Sequence, residues 1–203
     1  MNYISFRIII FVVLVLITFV IFKYTKNNYI KKYFFIFEIV LFVFIRIYPI
    51  ENNLFKFKTV DDAFNYYWFP SGTIKKKYEY DKYAYIVYDD YKTDVPGLMY
   101  FTKKDGSYHI NNLITRGIGK NKMYGDFNLF FIKIPKINST GIIMYYREIN
   151  KKDGGKITDS LSSEFVTYKG VDTDLDTKIV IINDKIDSNY TIYFNGKEYK
   201  PFK

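Results

Sequence analysis

Residues 8–22 read IIIFVVLVLITFVIF, fifteen consecutive residues without a charge. Adding residues 4–7, ISFR, extends the apolar run to nineteen and places Arg7 near its end, where a guanidinium can snorkel to water. A helix needs about twenty apolar residues to cross the ~30 Å hydrocarbon core of a bilayer. The run therefore predicts a transmembrane helix over residues 4–22. A second run, YFFIFEIVLFVFIRIYPI over residues 33–50, also has spanning length, with Glu38 inside it and Arg46 and Pro49 near its far end. Between the two lies KYTKNNYIKK, residues 23–32, a short polar loop with four lysines. A helix satisfies its own backbone hydrogen bonds in lipid. Two adjacent helices with so short a connection predict a transmembrane helical hairpin over residues 1–50. A single Arg ahead of the first run, and no small-x-small site after Phe22, argue against a cleaved signal peptide.

Charge gives the orientation. Lys23, Lys26, Lys31 and Lys32 sit in the loop, and positively charged loops stay in the cytoplasm. The expectation is a multi-pass protein of the cell membrane, its partner the lipid bilayer through two helices, with the C-terminal part extracytoplasmic. Residues 1–50 hold six basic groups against the single acid Glu38, leaving twenty-four basic and twenty acidic groups in the rest. The net charge of +9 is thus concentrated around the apolar runs. There is no basic stripe, and only four of the thirty basic residues are Arg, so no nucleic-acid partner is expected.

Glu38 is the most provocative residue of the hairpin, because an ionisable group inside a span is a functional candidate by default. It lies six residues past Lys32, ~9 Å deep at the helical rise, and Thr18 falls at a similar depth on an antiparallel partner. A hydrogen bond to Thr18, or a lean toward Lys31 or Lys32, accounts for it better than an ion pathway, since one acid on two helices makes no conduit.

Beyond the hairpin, residues 51–58, ENNLFKFK, read as a polar linker. Thr59 is a good N-cap with Asp62 at the capping-box position, and Val60, Ala63, Phe64 and Tyr67 fall on one helical face. Strand patterns come next. Residues 73–80 and 83–88 flank Asp81-Lys82, and residues 98–102 and 108–110 flank Lys103-Lys-Asp-Gly106. The Gly-containing stretch 111–122 suggests a boundary. Further strands are expected at 127–134, 141–149, around Ile157, and at 165–168, 179–182 and 190–194. Asn195-Gly196 is the sharpest local signal, a dipeptide favoured by type I′ hairpins. The predicted fold is thus two transmembrane helices followed by a mainly-β (α+β) domain. Residues 59–115 form a short amphipathic helix plus antiparallel strands, and residues 122–203 a sandwich- or barrel-like part. The segment TVDDAFNYYWFPSGTIKKKYEYDKYAYIVYDD, with DSLSSEF and YTIYFNGKEYK, resembles β-rich extracytoplasmic domains of bacterial membrane-anchored proteins of uncharacterised activity. That resemblance implies a helix-then-strand domain and carries no activity to transfer.

Catalytic chemistry finds little support, and no catalytic, metal or cofactor residue is assigned. The chain has no cysteine, which removes thiolate chemistry and disulfides. His109 is the only histidine, and no serine sits in a nucleophile elbow. Asp172, Asp174 and Asp176 begin like a calcium loop, but the pattern then needs Gly and Glu where Thr177 and Asn183 stand. Asp89, Asp90 and Asp94, near Glu79 and Asp81, offer carboxylates whose separation the sequence leaves open. Asn138 and Asn189 match glycosylation sequons, and Trp68 belongs to the core or to the membrane interface. The expected function is non-enzymatic: a membrane-anchored envelope protein whose outer β domain binds or spaces a partner. One alternative is a membrane accessory or immunity factor working through the hairpin. Another is an envelope polymer-binding protein or hydrolase.

Overall fold

The computed structural model describes residues 3–68, 72–91, 95–111, 121–125, 127–134, 137–147, 155–169 and 175–202, without the side chains of Arg46, Ile47, Trp68, Arg147 and Leu175. The chain divides into two compact units, Met1–Pro70 with Phe101–Ile114, and Ser71–Tyr100 with Thr115–Lys203.

The first unit is mainly helical. Helix α1 spans Tyr3–Tyr24, α2 Asn28–Ile47, α3 Glu51–Leu54 and α4 Val60–Trp68. Asn27 starts α2 by accepting hydrogen bonds from the backbone N–H groups of Tyr29 and Ile30, at 2.8 and 3.5 Å. The less exposed positions are Tyr3, Phe6, Arg7, Ile10, Leu14, Thr18 and Ile21 on α1, and Lys31, Phe34, Glu38, Leu41 and Ile45 on α2. Steps of three and four residues make a seam of coiled-coil type. Outside that seam both helices expose apolar side chains, and no residue of α1 is buried. Of the two expected spans, one is matched by length and composition: α1 is the one helix among the described residues long and apolar enough to cross a membrane. α2 has twenty residues, but its sequence includes Lys31, Lys32, Glu38 and Arg46.

The segment 51–58 is more structured than a linker: it contains the single turn α3, in which Glu51 is fully buried. The amide of Asn52 closes a two-bond ring with the backbone of Ile110, both bonds 2.8 Å, and Phe57 forms a bridge with Tyr108. The expected capping box starts α4. Thr59 Oγ1 accepts from the Asp62 N–H at 3.1 Å, and the Thr59 N–H donates to Asp62 Oδ2 at 3.3 Å. Val60, Ala63, Phe64 and Tyr67 are all buried.

The strands are β1 Gly72–Glu79, β2 Tyr83–Asp90, β3 Pro96–Lys104, β4 Ser107–His109, β5 Asn121–Tyr124, β6 Phe127–Lys133, β7 Thr140–Arg147, β8 Ile157–Asp159, β9 Val166–Lys169, β10 Leu175–Ile182, β11 Ile192–Phe194 and β12 Lys197–Tyr199. They form sheets of order β1-β2-β3-β4, β5-β6-β7-β10-β9 and β12-β11-β8. Antiparallel pairing runs through the five-stranded sheet. Two hairpins turn on adjacent residues of positive φ: Asp105 and Gly106 at 50° and 74°, Asn195 and Gly196 at 49° and 78°. Both match the two-residue type I′ geometry, and Ile192 lies opposite Tyr199 as the Asn-Gly spacing requires.

Within the second unit the five-stranded sheet has a core on each face. Phe127, Leu129, Phe131, Ile142, Met144 and Val180 pack with Ile157, Ile192 and Phe194 of the three-stranded sheet. The alternate residues Ile143 and Ile179 pack with Tyr83, Tyr85, Val87, Leu98 and Tyr100. The five-stranded sheet thus has one core shared with the three-stranded sheet and another shared with β2 and β3. Strand β2 alternates its side chains as expected, yet Tyr83 to Tyr88 are buried on both sides. Gly141 lies at the closest approach of two layers: a Cβ there would stand 2.4 Å from Leu98 Cδ2 and 3.1 Å from Tyr85 Cε1.

Gly141→Ala should therefore lower stability by about 1–3 kcal/mol through overpacking. Gly196→Val, a β-branched residue forced to positive φ, should also destabilise clearly. Gly125, with open space around its Cβ position, provides the control, and its Ala variant should stay within about 0.5 kcal/mol of the parent. Thermal unfolding of the full chain in detergent micelles measures all three. Equal midpoints for Gly141→Ala and Gly125→Ala would refute the layer packing.

Candidate functional site

Two polar side-chain pairs join α1 to the rest of the helical unit. At one end of α1, Arg7 makes a bidentate ion pair with Glu51, Nε to Oε1 at 2.8 Å and Nη2 to Oε2 at 3.0 Å. Two further guanidinium protons go to the carbonyls of Ile45 and, at 3.2 Å, Tyr48. The guanidinium also lies 4.5 Å from the centre of the Tyr3 ring. The side chains of Arg7 and Glu51 are 11% and 0% exposed, so water screens this pair little. Helix α2 ends just ahead of Glu51, and its last carbonyls are orphans of the helix terminus that Arg7 partly satisfies. Rings extend the contact: Tyr3 packs edge-on against Tyr67 at 4.9 Å, and Phe6 against Phe55 at 5.3 Å. The Tyr66 hydroxyl is buried without a hydrogen-bond partner among the described residues, and burial, reinforced by Glu51, pushes its ionisation well above the ordinary tyrosine range.

Further along the seam Thr18 Oγ1 donates to Glu38 Oε1, the partner expected from depth alone. The same hydroxyl lies 2.9 Å from the carbonyl of Leu14. Beside it runs an open groove of about 550 Å³, floored by Thr18 and Glu38 and walled by Phe11, Leu14, Val15, Phe19, Phe22, Phe35, Ile39 and Phe42. Apart from those two floor residues, its lining is apolar.

In the β-rich unit several polar side chains bond to one another and to the backbone. Asp159 is buried and accepts from the Tyr190 hydroxyl at 2.8 Å and from the backbone N–H groups of Leu161 and Ser163 at 3.1 and 2.7 Å. Burial and the Asp159 carboxylate raise the Tyr190 hydroxyl far above its ordinary range. Tyr83 and Ser139 both donate to Asn183 Oδ1, at 2.9 and 3.1 Å, and the Tyr85 hydroxyl donates to the Ile132 carbonyl at 3.2 Å.

The other sequence candidates are scattered. Asp89 pairs with Lys75 at 2.9 Å across the β1–β2 ladder. Asp94, Asp172 and Asp174 lie outside the described residues, as does the side chain of Trp68. Asp176 is on β10 with its carboxylate 3.4 Å from the Tyr146 hydroxyl. His109 ends β4 opposite Thr102, and partial burial, with Lys104 nearby, lowers its pKa. Among the described residues no group of three His, Cys, Asp or Glu side chains is placed to hold a metal ion. No family model, no curated protein and no solved structure matches this chain.

Sequence reasoning found Glu38 with Thr18 and missed Arg7 with Glu51. Forty-four residues separate the latter pair, and Glu51 stands in a stretch whose composition reads as polar linker.

Removing one member of a buried ion pair typically costs about 3–5 kcal/mol, while replacing both by apolar residues costs much less. Arg7→Met and Glu51→Leu should each lower the thermal midpoint of the full chain strongly, and the double variant should recover most of the loss. Additive losses in that cycle would contradict the pairing.

Proposed function

We propose that this chain is a membrane-anchored envelope protein: α1 and α2 stand in the bilayer as a hairpin, and the β-rich remainder, extracytoplasmic and non-enzymatic, binds or spaces a partner at the cell surface. The observation that carries this reading is the matching of polar groups on α1 to groups on α2 and α3. Arg7 meets Glu51, and Thr18 meets Glu38. Cleaving α1 as a signal sequence would leave Glu51 a buried carboxylate without its guanidinium, a severe penalty. A core helix of a water-soluble protein would be covered, whereas α1 exposes apolar side chains such as Leu16 and Phe19 on faces away from the seam.

The shortfall of α2 as a span has a physical answer in its charge placement. Lys31 and Lys32 belong to the loop end, where long side chains reach water, and Arg46 to the opposite end. Only Glu38 remains within the apolar stretch, and it has a donor in Thr18. The four loop lysines favour a cytoplasmic tip and an outer β domain. A second reading, an accessory or immunity factor acting through the hairpin on another membrane protein, is favoured by the groove that contains Glu38.

Alkaline carbonate should leave the full chain in the membrane pellet. Protease added to intact protoplasts should digest the β-rich part and leave a membrane-protected fragment containing α1 and α2. Complete protection of the β-rich part in sealed cells would overturn the orientation, and carbonate extraction would overturn the anchor.

A further inference from the structure

We infer that the groove beside Glu38 receives a transmembrane helix of another protein carrying a hydrogen-bond donor, basic or amide, at the depth of Glu38. The inference rests on the membrane reading and adds to it the chemistry of the partner. A hydroxyl has one proton, so Thr18 serves either the Leu14 carbonyl or Glu38 at a given moment. An ionised carboxylate has about four acceptor sites on its two oxygens, and a protonated carboxyl group still keeps acceptor capacity beyond one bond. The walls of the groove are leucine, isoleucine, valine and phenylalanine, which donate nothing. The hairpin therefore leaves acceptor capacity on the floor of an apolar groove, in contrast to Arg7, whose donors reach Glu51, Ile45 and Tyr48.

The occupant is set by that deficit. A lipid acyl chain fits the walls but brings no donor. A second copy of this chain presents apolar side chains such as Ile17, Phe19, Val20, Ile36, Phe37 or Val40 near this depth, and its Thr18 proton is already committed to Leu14 or Glu38 of its own hairpin. A helix with lysine, arginine, asparagine or glutamine supplies both the apolar surface and the missing hydrogens, and in lipid such interhelical bonds are retained because the alternative is an unsatisfied polar group.

The test uses the full chain in phosphatidylcholine vesicles, labelled with a donor dye through Lys26→Cys, which is unique because the chain has no cysteine. The probes are acceptor-labelled synthetic leucine-alanine transmembrane helices that differ at one site, Lys, Gln or Leu, placed ~9 Å from one end to match Glu38. Energy transfer should report association of the Lys and Gln helices about tenfold tighter than the Leu helix, the scale of an interhelical hydrogen bond in lipid. Glu38→Leu should abolish that preference. Val15→Phe, which fills the groove from an exposed position and leaves Thr18 and Glu38 intact, should weaken association of both donor helices. Equal association of all three helices, a preference that survives Glu38→Leu, or Glu38-dependent self-association in place of helix binding would each overturn the inference. Carbonate extraction of the parent would mark failure of the membrane reading instead, and this inference would fall with it.

Discussion

The helical unit depends on one buried ion pair. Glu51 is fully enclosed, and a carboxylate removed from water is tolerated only with an opposite charge and good hydrogen bonds. Arg7 provides both, in the planar bidentate geometry that a lysine cannot copy. The pair fixes where the end of α1 meets the chain leaving α2. The guanidinium's bonds to Ile45 and Tyr48 tie the same group to the α2 terminus, and the rings of Tyr3 and Phe6 carry the contact to Tyr67 and Phe55. A hairpin built only from apolar contacts could slide by a turn at little cost. One held by a charge pair at one end and a Thr–Glu hydrogen bond in the middle has a defined register.

The β-rich unit solves a different problem. Its five-stranded sheet has a core on each face, so β6, β7 and β10 carry apolar residues on both sides of the sheet. Leu129 and Phe131 serve one face of β6, Phe130 and Ile132 the other. A glycine at position 141 lets two layers meet where a methyl group would collide with Leu98. The buried Asp159 carboxylate is fully bonded: it has three donors, and its contact with Tyr190 joins β8 to the residues just ahead of β11.

Local features were legible in the sequence because their causes are local. The Thr59–Asp62 box, the Asn195-Gly196 turn and the alternation of residues 83–88 each follow from a few adjacent residues. The Thr18–Glu38 bond was legible too, since antiparallel geometry and a 1.5 Å rise fix depth. Arg7 and Glu51 were not, because nothing in their spacing announces a contact over forty-four residues, and Arg7 has an equally good local explanation in snorkelling. Alternation in β2 predicted two faces but could not say that both would be covered. The short strand β5 carries too little apolar signal, Asn-Lys-Met-Tyr, to stand out from a boundary segment. The spanning capacity of α2 was read from length, while α1 is the one helix among the described residues long and apolar enough to cross a membrane.

Retention of α1 is the point on which the anchor, the ion pair and the groove all depend. The intact mass of this chain after insertion into bacterial membranes tests it most directly. If Arg7 is the permanent partner of Glu51, the membrane-extracted protein has the full 24.3 kDa of the chain with α1 present. A product cleaved beyond Phe22 that still folds with the thermal midpoint of the uncleaved chain would show that Glu51 does not need Arg7, and would contradict the pairing.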